Sequence, residues 1–256
     1  MARSAAEPVG MLLRLETRAS TKLLRWKGTR NAFMMKLHEA KKRCRMPVLN
    51  YLALPQAVSI LAVPDSLEHV GRFVGYLRGS ISSSHARKTG QEGPFWKNRG
   101  QYTLVQGTVA LRRCLEAMAW EPVRQGCVLH PCQYPWSGYA ELVGIRQRYR
   151  VGDYARLAVI YGGGTKPELH AAIAEEVEAK KDGGQALAEW ENSFAVGECA
   201  WIEMAAETLR PQRRNIIRLG SEEDGLYALT TANRHRRIYM RKLIQRLARL
   251  NSKRLS

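Results

Sequence analysis

The chain predicts an α+β protein, in which a ferredoxin-like antiparallel sheet with helices on one face is followed by a mostly helical C-terminal module. Three observations lead there. Short apolar runs with strand character alternate with helical periodicity in the order β-α-β-β-α-β. Two of those runs meet at a tight Pro-containing turn, Leu54-Pro55-Gln56. Apolar residues make up 45% of the 256, enough for a packed core.

Each element has its own warrant. Met11-Leu12-Leu13-Arg14-Leu15 opens a strand expected over 11–18. Asn31 to Ala40 carries apolar residues at helical spacing, within a helix expected over 29–44. Strands over 47–54 and 57–64 flank the turn, and a helix follows over 66–88. A strand over 101–106 and a helix over 108–119 complete the core. Beyond about residue 145 the pattern is helical. Leu169, Ile173 and Val177 mark one face of a helix in an acidic stretch, 167–192, that Gly183-Gly184 interrupts. This acidic segment is expected to face solvent or a basic protein surface. Gly162-Gly163-Gly164-Thr165-Lys166 lacks the Gly-Lys-Ser/Thr ending of a phosphate loop and reads as a flexible linker. A short β element is expected at 225–229. The expected organisation is therefore a core domain over 1–145, a helix-rich module over 146–232 and a basic tail helix over 233–256.

Formal charge is +18 and the pI about 10.1. Such an excess argues for a polyanionic partner rather than for any fold. No run is long and apolar enough to span a bilayer, and the N-terminus lacks the apolar core of a secretion signal. Cys44, Cys114, Cys127, Cys132 and Cys199 are an odd, scattered set, as expected of reduced thiols in a cytoplasmic protein. Cys127, His130 and Cys132 lie close in sequence but lack a second pair at zinc-site spacing. No metal and no cofactor is expected.

Several blocks, in order, resemble REP-associated tyrosine transposases, a family of HUH single-strand endonucleases. Leu54-Pro55-Gln56-Ala57-Val58-Ser59 is similar to the family's Met-Pro-Asn-His-x-His. Gly93-Pro94-Phe95-Trp96-Lys97-Asn98-Arg99 resembles Gly-x-Leu-Trp-x-x-Arg. Glu121-Pro122-Val123-Arg124-Gln125-Gly126-Cys127-Val128 resembles Asn-Pro-Val-Arg-Ala-Gly-Leu-Val. Tyr134-Pro135-Trp136-Ser137-Gly138-Tyr139 resembles Tyr-Pro-Trp-Ser-Ser-Tyr, and Ser193-Phe194-Ala195-Val196-Gly197 is similar to a segment of longer members. The resemblance implies an antiparallel core that holds a folded hairpin, with two His gripping a divalent metal. Here Ala57 and Ser59 occupy those two places, and neither a methyl nor a hydroxyl replaces imidazole. The family's Leu-Asn-x-x-Tyr-x-x-Tyr-x-Asn helix, which supplies the nucleophile, aligns on 77–86. Its two tyrosine places hold Ile81 and Ser84, and its asparagine place holds Ala86. Transesterification needs both a placed nucleophile and a metal. The resemblance thus implies a degenerate member that binds without cutting.

Basic residues concentrate in two places. Arg14, Arg18, Lys22, Arg25, Lys27 and Arg30 begin a run that continues to Arg45, opposed only by Glu16 and Glu39. Trp26 lies within it, placed either to stack on a base or to pack on the sheet. The resemblance adds Trp96, Lys97 and Arg99 to the strand-holding set, and Arg124 to a local turn. The tail carries nine Lys and Arg and no acid, among them Arg234, Arg236, Arg237, Arg241, Lys242 and Arg246, with Ile238, Leu243, Leu247 and Leu250 at helical intervals. The expected function is a catalytically inactive, transposase-derived binder of structured nucleic acid, either hairpin DNA or folded RNA, with a further protein of a nucleoprotein complex as a possible partner. Two alternatives stand beside it. One is an active enzyme with a relocated site built on Tyr76, Tyr102, His69 or His85. The other is a protein-interaction subunit whose nucleic-acid affinity is incidental.

Overall fold

Strands buried on both faces build the sheet: β2 and β3 are buried at every position. The computed structural model describes residues 8–18, 23–90, 93–97, 100–181, 184–207 and 215–230. Seven strands are formed among them: β1 (Val9–Glu16), β2 (Val48–Ala53), β3 (Ala57–Ala62), β4 (Gln101–Gln106), β5 (Ala195–Glu198), β6 (Asn215–Arg218) and β7 (Leu226–Thr230). They lie in the order β2-β3-β1-β4-β5-β7-β6. The first four strands pair antiparallel in the arrangement expected of the core, with Arg14 opposite Ser59 and Leu12 opposite Thr103. β5 then joins β4 in parallel, and β7 and β6 extend the sheet antiparallel.

That extension crosses the expected boundary at 145/146. Left bare, β4 would present a row of unpaired backbone groups, and β5 satisfies them. The parallel β4–β5 pair requires a long crossover, which the intervening helices provide. Residues from 146–232 also enter both cores, so they complete the sheet instead of forming a core of their own.

Among the described residues, eight helices cover the two faces: α1 (Lys27–Cys44), α2 (Leu67–Thr89), α3 (Thr108–Arg124), α4 (Tyr139–Leu142), α5 (Tyr154–Tyr161), α6 (Lys166–Ala179), α7 (Leu187–Asn192) and α8 (Cys199–Ala206). Successive strand side chains point to opposite faces. Leu13, Leu15, Val58 and Ile60 meet Phe33 and Leu37 of α1 and Phe73, Leu77 and Ile81 of α2. Leu12, Leu61 and Val105 meet Leu111, Leu115 and Met118 of α3, Ile173 of α6 and Trp190 of α7. The two core helices α1 and α2 thus share one face, as expected. The helices that follow β4 occupy mainly the other, with α8 on the α1–α2 side.

Three local features depart from expectation or explain themselves. Gly162, Gly163 and Gly164 all have positive φ (83°, 106° and 104°), so they form a tight turn between α5 and α6, not a flexible linker. Thr165 and Glu168 then cap α6 reciprocally, with Thr165 N–H donating to Glu168 Oε2 at 2.7 Å. Along the free side of β2, Ala53 N–H donates to Trp136 O and Gly138 N–H to Tyr51 O, which protects that edge. A Cβ at Gly138 would collide with the Asn50 side chain, so this close approach requires glycine.

Candidate nucleic-acid interface

The two places where the resemblance puts metal-binding His lie on β3. Val58 and Ile60 belong to the α1–α2 side, so Ala57 and Ser59 face the other side with Leu61. There Ser59 Oγ donates to Oε1 of Glu191, a residue of α7. Arg14 Nη1 donates to the second carboxylate oxygen of Glu191, and Arg14 Nε donates to Glu16 Oε1 at 3.0 Å. Glu191 is only 4% exposed. Burial pushes its pKa up, against the opposing pull of Arg14 and the Ser59 hydroxyl. Burial likewise raises the Cys114 thiol on α3 well above its ordinary range, and the Glu191 charge adds to the shift. The hydroxyl of Ser59 is therefore committed to a buried carboxylate. Among the described residues, no group of three His, Cys, Asp or Glu is arranged to hold a metal ion.

The aligned nucleophile positions lie elsewhere. Ile81, 3% exposed, belongs to the core beneath α1 and α2, on the face opposite Ser59. Ser84 and Ala86 follow it on the same helix. A nucleophile at 81 or 84 would be separated from positions 57 and 59 by the sheet itself. Of the helices on the Ser59 face, α3 and α7 contain neither Tyr nor His, while α4, α5 and α6 contribute Tyr139, Tyr154, Tyr161 and His170. Positions 57 and 59 and the core-facing side of this helix therefore lie on opposite faces of the sheet.

Several residues expected to hold a strand are drawn into the protein. Arg14 is spent on Glu16 and Glu191. Arg30 is 8% exposed: it donates to Tyr134 Oη at 3.3 Å and lies 3.6 Å over the Trp136 ring. Trp136 in turn donates Nε1–H to Asn31 Oδ1 at 2.8 Å. Trp96 is 5% exposed, donates to the Arg78 carbonyl at 3.2 Å and packs edge-on to Phe95. Its large apolar surface and a satisfied N–H make burial favourable, so it serves the core and not a base. Glu191, in a stretch expected to face solvent or a basic protein surface, is buried, and Arg14 and the Ser59 hydroxyl offset the cost of burying its charge. Arg124 donates back to the Ala117 carbonyl at 3.3 Å, within its own helix. His130, beside Cys132, accepts the Cys132 N–H at Nδ1 and donates Nε2–H to Glu178 Oε1 at 2.7 Å, linking its loop to α6.

Other expected residues are at the surface. Trp26 is 70% exposed at the start of α1, between the exposed Arg25 and Lys27, which resolves its two readings against packing on the sheet. Arg18 is exposed, and Lys97 is exposed with its ammonium 3.1 Å from Glu16. Lys22, Arg99 and the whole tail, with Arg234, Arg236, Arg237, Arg241, Lys242 and Arg246, lie outside the described residues.

Sequence reasoning missed part of the same surface. Arg72, Arg87 and Lys88 of α2 are exposed, beside Lys42, Arg43 and Arg45, which the expected basic run at the end of α1 already included. A loop with exposed Arg148 and Arg150 lies against α1, where the His38 ring nitrogen meets the Arg150 carbonyl at 2.8 Å and Lys41 donates to the Gly152 carbonyl at 3.0 Å. The available signal was the Arg146-x-Arg148-x-Arg150 spacing. The α3 side differs: Arg113 pairs with Glu116 and Asp224, both at 2.6 Å, and Arg112 with Glu176 at 3.6 Å.

No family profile and no curated protein matches this chain. Among solved structures, it is similar to a REP-associated tyrosine transposase bound to a REP hairpin, at 14% identity and a TM-score of 0.42, over 60% of this chain and 90% of that one. No described helix is long and apolar enough to cross a membrane.

Proposed function

We propose that this chain is a catalytically inactive, transposase-derived protein that binds structured nucleic acid, hairpin DNA or folded RNA, through the α1–α2 layer and the basic tail. The observation that carries the binding half is the distribution of cations. On the α1–α2 layer, exposed Arg25, Lys27, Lys42, Arg43, Arg45, Arg87 and Lys88 stand with few acids, and Trp26 offers a bare indole beside them. Phosphates neutralised by such residues release counterions, and an exposed indole stacks on any unpaired base. The inactive half is supported by Ala57 and by the Ser59–Glu191–Arg14 cluster, which leaves no imidazole at the metal positions.

The test uses the purified full chain and a labelled single strand that folds into a hairpin, as DNA and as RNA, with Mg²⁺ or Mn²⁺. A salt-dependent complex with no cleavage product and no covalent adduct is expected. An adduct that disappears in Tyr76→Phe or Tyr102→Phe would instead establish a relocated active site. Deleting residues 233–256 removes nine of the 41 Lys and Arg. It should weaken binding to many sequences and flatten the slope of log affinity against log salt, with hairpin preference retained. An unchanged slope would place the tail on a protein partner.

A further inference from the structure

We propose that the cleft between the end of α1 and the first turns of α2 is a phosphate site that takes one nucleotide of the bound strand; this deepens the nucleic-acid reading above. The cleft has a volume of about 560 Å³ and is lined by Arg43, Cys44, Arg45, His69, Arg72 and Tyr76. Sites for small organic ligands run from roughly 300 to 1,000 Å³, so a nucleotide fits.

Three guanidiniums converge on this concavity with little to neutralise them. Arg43 lies 5.1 Å from the centre of the Tyr76 ring, and no carboxylate pairs with it or with Arg45 among the described residues. Arg72 has only Glu68, 3.9 Å away, with both side chains well exposed. Such a pair contributes little. Nearby Glu39 is held by Lys36 at 2.7 Å, and Tyr76 Oη reaches it only at 3.5 Å. His69 Nδ1 is buried without a hydrogen-bond partner. Arg45 closes α1 at φ 49°, an uncommon backbone conformation for a residue other than glycine.

The chemistry that satisfies this set is a phosphate ester. Guanidinium forks match phosphate oxygens bidentately, and a single anion offsets the mutual repulsion of the three cations. The Tyr76 ring supplies an apolar wall against which a sugar or base rests. The phosphate is either a diester within the strand or a terminal monoester, and the site chemistry is common to both.

The experiment compares the full chain with R43Q/R45Q/R72Q and with the control K166Q/K180Q/K181Q, which removes the same charge from the α6 region. Labelled hairpin DNA with and without a 5′-phosphate is titrated over a range of salt. The cleft variant is expected to lose about tenfold in affinity and to flatten the log–log salt slope by about one, while the control keeps the slope. A wild-type preference for the 5′-phosphate that vanishes in the cleft variant assigns a terminal phosphate. An equal loss on both hairpins assigns an internal one. Equal behaviour of variant and control, or an unchanged variant, overturns the proposal while leaving hairpin binding intact. If the wild type binds no hairpin, the functional reading fails, and the cleft is judged by calorimetry with 5′-AMP. Binding that disappears in the variant then sustains the site, and no binding to the wild type ends it. Circular dichroism checks folding. If the triple variant does not fold, R72Q is set against R72K, which keeps the charge but not the fork and should recover only part of the affinity.

Discussion

The two faces of one sheet use the same residue types for opposite ends. On the α3–α7 side, Arg14 and Arg113 meet carboxylates and disappear into partly dry surroundings. On the α1–α2 side, Arg43 and Arg45 keep their donors available in an open cleft. Tryptophans divide by exposure and not by face: Trp190 on the α3–α7 side and Trp96 on the α1–α2 side are both buried, but Trp26 stands out from the start of α1. An arginine is structural where an acid reaches it in a low-dielectric setting, since removing either partner would strand a charge. It is free for a ligand where no acid does. Net charge alone does not separate the two cases, because both kinds count equally toward +18.

The comparison breaks most readily at Glu191. Glu191→Ala should cost about 3–5 kcal/mol in denaturant unfolding, since it leaves Arg14 half-buried without its main partner and Ser59 without its acceptor. The double variant R14M/E191M should recover much of that loss. Measured below the midpoint of unfolding, hairpin affinity in the double variant should match the wild type. A loss of affinity would return Arg14 to the binding surface.

A second test uses pH on the same side. Burial raises the Glu116 carboxyl from its ordinary value to about 7, with Arg113 opposing the shift. A folded-state pKa above the unfolded value means the folded protein binds the extra proton. Stability is therefore highest below about pH 4.5 for this group and falls as pH rises through about 7. The loss should be on the order of 2–3 kcal/mol between pH 5 and 8, and Glu116→Gln should remove most of it. A wild-type stability that is flat across that window would show that Arg113 holds the carboxylate ionised.

The smallest change in stability, and the sharpest contrast, belongs to the indoles. Trp26→Ala should leave unfolding within about 0.5 kcal/mol of wild type while weakening strand binding by about 1–3 kcal/mol. Trp96→Ala should do the reverse, destabilising by about 3–5 kcal/mol without altering the affinity of the folded fraction. Equal effects of the two substitutions on binding would erase the distinction between the exposed indole and the buried one.

Local pattern was enough for the elements. The strands β1 to β4 and the helices α1 and α2 fall within about two residues of their expected ranges, and α3 runs five residues further to Arg124. The reason is that strand and helix periodicities are written in neighbouring residues. The apolar face of α6 at Leu169, Ile173 and Val177 was legible on the same ground.

Fates of individual charges were not legible. Arg14 and Glu191 are 177 residues apart in sequence, and only the tertiary fold sets Ser59 beside them. The parallel pairing of β5 with β4 joins a segment that composition had set apart, through a crossover of about 90 residues whose closure is decided by burial and not by local preference. The sequence by itself determined the fold class, the elements of the core and the excess of positive charge. Tertiary structure alone decided which cations are neutralised, which indole is exposed, and that positions 57 and 59 lie on the face of the sheet opposite α2. The physical reason is that solvation and ion pairing depend on which distant residues come within a few ångströms, whereas secondary structure depends largely on residues close in the chain.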